Sequence, residues 1–216
     1  MQNKFGKAIK MTNQGALIII SGFSGAGKGT LVNKLISEHD RFALSISMTT
    51  RNPRESEENG REYFFVSKEE FEKTIAEDGL LEHACYVGNY YGTPKAYVKE
   101  QMQKGKDVIL EIEVQGALQI KEKYPDAILM FVTPPSIEEL NRRLHGRGTE
   151  SEEVIEKRLT RAKEEVHLIE KYDYIVVNDH LDSCVQNVIS YIDAAKMMPL
   201  RQVDFVELLK EELSKL

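Results

Sequence analysis

Gly22-Phe23-Ser24-Gly25-Ala26-Gly27-Lys28 stands one residue beyond the apolar run Ala16-Leu17-Ile18-Ile19-Ile20. Glycines at this spacing let successive backbone N–H groups turn toward an anion, and a helix starting there adds the positive end of its dipole. Lys28 then reaches the terminal phosphates of a triphosphate. Leu31, Val32, Leu35 and Ile36 recur at helical spacing behind it, so the flanks supply the strand and the helix that this chemistry requires. The hydroxyl that commonly follows the lysine and holds magnesium is displaced: Gly29 takes that place and Thr30 comes one later.

Val108-Ile109-Leu110-Glu111-Ile112-Glu113 is an apolar strand that ends in acids at alternate positions, so both carboxylates leave the same face. Beside a phosphate loop, Glu111 suits hydrated magnesium, an ion that keeps several waters and takes few carboxylates. Thr30 is the alternative anchor. Arg51 and Arg54 lie three apart on a loop that Pro53 keeps extended, a spacing that suits a fork onto one phosphate. Arg142-Arg143-Leu144-His145-Gly146-Arg147-Gly148-Thr149 reads as a lid that brings arginine charge over phosphates, with Arg158 three helical turns further on. Tyr63 and Tyr91 add phenolic donors, and Glu82 lies between them in sequence.

Those residues need elements to hold them. Strand-like runs at Leu17–Ser21, Val108–Ile112, Ile128–Val132 and Tyr174–Val177 alternate with helix-like segments, which predicts a doubly wound α/β sheet. Ser136 with Glu139 predicts a capped helix over Ile137–Leu144, Thr149 with Glu152 one running to about Lys171, and Ser67 with Glu70 a third. Between about Arg41 and Tyr91 the rhythm breaks into short strands, as in an inserted α+β subdomain. Val206, Leu209, Leu213 and Leu216 line one face of a terminal helix; surface packing is the expectation, with a dimer contact or a disordered tail as alternatives.

The chain has 216 residues, 41% hydrophobic and 30% charged, which suits one globular domain with a small insertion. A net charge of -6 gives no basic footprint for nucleic acid or an anionic membrane. Cys85 and Cys184 make no disulfide framework, and no signal-peptide or membrane-spanning run is present, so a cytoplasmic protein is expected.

The stretches GFSGAGKGT, SMTTRNPR, NGREYFFVS, GNYYGT, EIEVQGA and GRGTESEE, in this order, resemble the guanylate kinase family over about Gly15 to Ala194. The resemblance implies a P-loop fold with a nucleotide-monophosphate-binding insertion at about 41–93 and a helical lid at about 142–160. Residues 1–14 and 195–216 form extensions outside it. It implies transfer of the γ-phosphoryl of ATP to GMP with Mg2+, a step in guanine nucleotide supply. By motif position Gly22, Phe23, Ser24, Gly25, Ala26, Gly27, Lys28, Gly29 and Thr30 hold ATP, and Asn178 approaches the adenine. Ser47, Glu82, Thr93 and Glu113 contact guanine, while Arg51, Arg54, Tyr63 and Tyr91 grip the GMP phosphate. Lys28, Arg51, Arg147 and Arg158 carry the catalytic charge.

The chemistry agrees, since guanine offers N–H donors where adenine offers an acceptor, and a carboxylate with hydroxyls matches that pattern. Glu113 departs from the family's usual aspartate, and its longer side chain changes that contact. The rival readings are a catalytically silent guanylate-kinase-like module that binds a phosphorylated peptide, and a P-loop kinase for another phosphorylated acceptor. Partners other than ATP and GMP are not expected, apart from a second copy of the chain.

Overall fold

A computed structural model describes residues 15–86, 88–146 and 151–216. The first apolar run forms β1 (Leu17–Gly22), every residue of it buried. The glycine turn leads into α1 (Lys28–Glu38), which directs Leu31, Val32 and Leu35 inward. There follow β2 (Phe42–Leu44), β3 (Ser47–Thr49), β4 (Tyr63–Phe65), α2 (Lys68–Ala76), β5 (Leu80–Tyr86), β6 (Asn89–Pro94) and α3 (Lys95–Gln103). The chain continues through β7 (Asp107–Glu111), α4 (Val114–Lys123), β8 (Ile128–Thr133), α5 (Ile137–His145), α6 (Glu152–Glu165), β9 (Tyr174–Val177), α7 (Leu181–Lys196) and α8 (Val203–Leu213).

The main sheet is five-stranded in the order β2-β7-β1-β8-β9, and every pairing in it is parallel. Alternate residues of β1 serve opposite faces. Ile18 and Ile20 pack with Leu31 and Leu35 of α1 and with Val188 and Ile192 of α7, whereas Ile19 packs with Ala117 and Ile120 of α4. Each such isoleucine stabilises the layers by about 1.5–3 kcal/mol, so a one-residue slip of β1 is strongly disfavoured. β7 and β8 flank β1 on opposite sides, and a parallel sheet opens its ligand crevice at the carboxyl ends where the strand order reverses. The register Ile20↔Glu111 sets Glu111 level with the entrance to the glycine loop.

A four-stranded sheet in the order β4-β3-β6-β5 stands apart, with Met48, Phe71 and Leu80 as its own small core. β2 pairs with β7 in the main sheet, so the second sheet begins at Ser47, later than the expected insertion start near 41. The register of β5 against β6 shifts between Leu80 and His83, where Leu81 and Glu82 oppose Thr93 alone. This bulge turns Glu82 off the regular alternation. A side chain on Gly92 at that point would meet Leu80 Cδ1 at 2.8 Å and the Glu82 carbonyl at 2.9 Å, so only glycine lets the strands close there.

Ser67 and Ser136 accept from the N–H groups of Glu70 and Glu139 at 3.1 Å, as the capping patterns predict. The expected single helix from Thr149 to about Lys171 is divided: α6 ends at Glu165, and Val166–Lys171 winds more tightly as a 3-10 helix. Thr149 lies outside the described residues, and Ser151 occupies the cap. α8 forms at the surface as expected, with Phe205, Val206 and Leu208 half-buried, while Leu209, Leu213 and Leu216 of the expected face are exposed.

At the amino ends of the strands, Asp107 is buried. Its Oδ1 accepts from the Ala16 N–H at 2.8 Å and from Lys196 Nζ at 2.6 Å, and its Oδ2 accepts from Arg41 at 3.0 Å. Three separate chain segments meet on one carboxylate, which is satisfied on both oxygens.

Candidate active site

The glycine loop is shaped for an anion. Gly27, at the start of α1, has φ 90 and ψ 22, a left-handed conformation that costs a side-chain-bearing residue about 1–2 kcal/mol. A Cβ there would also meet Asn178 Nδ2 at 2.5 Å. α1 begins with no side-chain capping bond and no acidic residue in its first turn, which leaves its N–H groups for a ligand. Lys28 donates to the carbonyls of Gly22 at 2.7 Å and Phe23 at 3.1 Å, so its ammonium is held across the loop.

Three residues brace this loop from outside it. Asn178 is buried, and its Nδ2 donates to the Ala26 carbonyl at 2.9 Å. Its own carbonyl accepts from Arg143 at 2.9 Å. Arg158 reaches from α6 to donate to Ser24 Oγ. Asn178 therefore holds the phosphate loop with its side-chain amide. Arg142 and Arg143 bind Glu139 and hold its carboxyl at about 2, well below the ordinary 4.5. Arg147 lies outside the described residues.

Glu111 closes β7 beside the loop. It is open to the cleft, yet the surrounding walls remove enough water to raise its carboxyl pKa, and the Lys28 charge opposes that shift. A Cβ built on Gly29 would lie 3.7 Å from both Glu111 oxygens, ordinary contact, so Gly29 leaves open space in front of this carboxylate. Thr30 is exposed one residue on. Among the described residues no three His, Cys, Asp or Glu side chains gather as a cage, and one carboxylate with a nearby hydroxyl suits an ion that retains most of its water.

Across the crevice lies a cavity of about 560 Å³, lined by Ser47, Tyr63, Glu82, Tyr91, Glu111 and Glu113 among others. Glu82 Oε1 accepts from Thr93 Oγ1 at 2.7 Å. Burial raises the Glu82 pKa above the ordinary 4.5, and the Thr93 hydroxyl only partly counters it. Arg51 pairs with Glu57 at 2.9 Å and lies over the Tyr63 ring at 5.5 Å, with Tyr91 edge-on to Tyr63 at 6.0 Å. The Arg51 guanidinium holds the Glu57 carboxyl below its usual range. Arg54 is exposed, and its N–H donates to Glu57 Oε2 at 2.8 Å. Glu113, at the mouth, is bound by Arg161 of α6.

The structure thus gathers Lys28, Ser24, Asn178 and Arg158 at the loop, and Ser47, Tyr63, Glu82, Tyr91, Thr93 and Glu113 at the cavity, with Glu111 between them. Sequence reasoning missed Glu57 and Arg161. Arg161 carried a signal, since it follows Arg158 by one helical turn and precedes Glu165 by another. Glu57 sits in a run of acids and carried none.

A glycine phosphate loop on a parallel sheet, facing a cavity rich in carboxylate and hydroxyl groups on a second sheet, defines a P-loop phosphotransferase with a separate acceptor site. The family model described as guanylate kinase matches residues 14–195. A guanylate kinase of Latilactobacillus sakei is 49% identical over 195 residues, 90% of this chain and 96% of its own length. One from Streptococcus thermophilus is 54% identical over 185 residues, 85% of this chain and 88% of its own. The crystal structure of guanylate kinase from Anaplasma phagocytophilum superposes with a TM-score of 0.71 at 31% identity, covering 94% of this chain and 97% of that one. The chain belongs to the guanylate kinase family.

Proposed function

We infer that the protein transfers the γ-phosphoryl group of ATP to GMP, giving ADP and GDP. The observation that carries this reading is the pairing of Glu82 and Thr93 by the β5 bulge inside the acceptor cavity, because that pair presents acceptors to the N–H donors of guanine. We propose the division into residues 15–194 as the kinase unit, with the acceptor insertion running from Ser47, past β2, to about 93, the lid at about 142–160 and the two extensions outside it. Among the described residues no helix is long and apolar enough to cross a membrane, and a cytoplasmic location is part of the proposal.

The α1 N–H groups and Lys28 take the β- and γ-phosphates, Lys28 exchanging the Gly22 and Phe23 carbonyls for phosphate oxygens. Arg51 exchanges Glu57 for the GMP phosphate, with Tyr63 and Tyr91 beside it and Arg54 on the same loop. Arg158, and Arg147 by its position in the sequence, bring positive charge over the transferring group. Magnesium fits Glu111, directly or through water, with Thr30 as the second anchor, and bound there it neutralises phosphate charge. Rate comes from alignment and fixed charge, so no protein nucleophile is required.

A coupled ADP-release assay across GMP, AMP, CMP and UMP tests the reading, and activity on GMP alone is the expected result. Comparable activity on another monophosphate, or none on GMP, overturns it.

Two further results are expected. Below its raised pKa Glu82 carries a proton and loses its acceptor role, so GMP binding measured without ATP weakens as the pH falls through a value above 4.5. Glu82→Gln removes this pH dependence and weakens GMP use by about 2–4 kcal/mol, 30-fold or more. Calorimetric titrations from pH 4.5 to 7 check it; a pH-independent parent rejects the assignment. Glu111→Gln is expected to raise the magnesium concentration for half-maximal rate about 10-fold. Gly29→Ser, whose Cβ fits at 3.7 Å from Glu111, keeps the parent's requirement or lowers it. A magnesium titration at saturating ATP and GMP decides this, and a parental curve for Glu111→Gln with a large shift for Thr30→Val moves the anchor to α1.

A further inference from the structure

Arg161 lies on α6 between two carboxylates. Its terminal nitrogen donates to Glu113 Oε2, and its Nε donates to Glu165 Oε1 at 2.9 Å. Glu165 is only 8% exposed, and burial raises its pKa, with the Arg161 charge the chief opposing influence. Glu113 is the last residue before α4 and lines the acceptor cavity with Glu82 and Glu111. Among the described residues lining that cavity, Arg161 is the one arginine or lysine. An anionic acceptor entering a space edged by three carboxylates is repelled, and Arg161 offsets that field at the mouth.

We propose that Arg161 is a positioning and specificity-determining residue for the acceptor: it fixes the Glu113 carboxylate through Oε2, leaving Oε1 to accept from guanine, and anchors it to the lid helix through Glu165. The proposal rests on the assignment of GMP to this cavity. Because the pair joins the cavity to α6, guanine bound at Glu113 steadies the helix that also carries Arg158 against Ser24. Acceptor recognition and placement of the lid are thereby linked through one guanidinium.

The test is steady-state kinetics on the full chain, with parental activity on GMP measured first as the check on the acceptor itself. Arg161→Met, which keeps an unbranched stem and removes the charge, is expected to raise KM for GMP about five-fold, the range of a part-exposed ion pair, and to leave KM for ATP within two-fold. Arg161→Lys restores the single contact to Oε2 and brings KM for GMP back to within two-fold of the parent. In a Glu113→Gln background, Arg161→Met adds nothing further to KM for GMP, because the charge that Arg161 holds is already gone. A parental KM for GMP in Arg161→Met overturns the proposal. So does an equal effect in the Glu113→Gln background, or a parallel rise in both KM values with a lowered melting temperature, which would make Arg161 a purely structural residue of α6.

Discussion

Lys28→Met is expected to lower turnover by about 10³-fold while the protein keeps its fold. The lysine stands at the first turn of α1 with its ammonium on the carbonyls of Gly22 and Phe23, 2.7 and 3.1 Å away. Methionine keeps the aliphatic stem and removes the charge. Methionine fills the same space along the loop, and the fold is checked by the melting temperature. The developing charge on the transferred phosphoryl loses a fixed donor, and removal of one such donor costs on the order of 10²–10³ in rate. Single-turnover phosphoryl transfer at saturating nucleotides measures this directly, and parental turnover in the variant would defeat the phosphate-loop assignment.

Arg158→Ala is expected to have an effect as large or larger, about 10³–10⁵ in kcat, with both nucleotide affinities within a few-fold of the parent. Arg158 already touches Ser24, a loop residue, from α6. Its charge is therefore placed to meet the γ-phosphoryl without a large rearrangement of α6. Loss confined to kcat identifies a group acting in the transition state. A variant that loses ATP affinity instead, with kcat intact, would make Arg158 a brace of the loop rather than a catalytic residue.

The central parallel strands were legible because they are buried on both faces, so β1, β7 and β8 read as apolar runs without alternation, and β9 read the same way from its composition although Ile175 and Val177 are exposed at the sheet edge. The helices at Ser67 and Ser136 were legible because a capping box is a local signal. β2 was not, since three residues pairing at a sheet edge carry no period of their own. The end of α6 at Glu165 was also hidden, because the switch to a tighter helix leaves the composition unchanged. At the site, residue types in order indicated phosphate and guanine chemistry. The partner of each group was beyond reach, because Arg51 with Glu57, Glu82 with Thr93 and Glu113 with Arg161 are matched by tertiary folding. The bulge that turns Glu82 inward shows the same limit: two residues facing one is a property of the pairing, not of either strand.

The carboxylate of Asp107, held by Ala16, Arg41 and Lys196, bears on the order in which the chain is made. A polypeptide emerges from its amino end, so Ala16 and Arg41 are present when Asp107 appears, whereas Lys196 follows 89 residues later. Before that, the Ala16 N–H on Oδ1 and the Arg41 guanidinium on Oδ2 already pair both oxygens and balance the charge. Lys196 adds a second cation, so the amino edge of the sheet is complete without it and the last turn of α7 fastens onto an edge already formed.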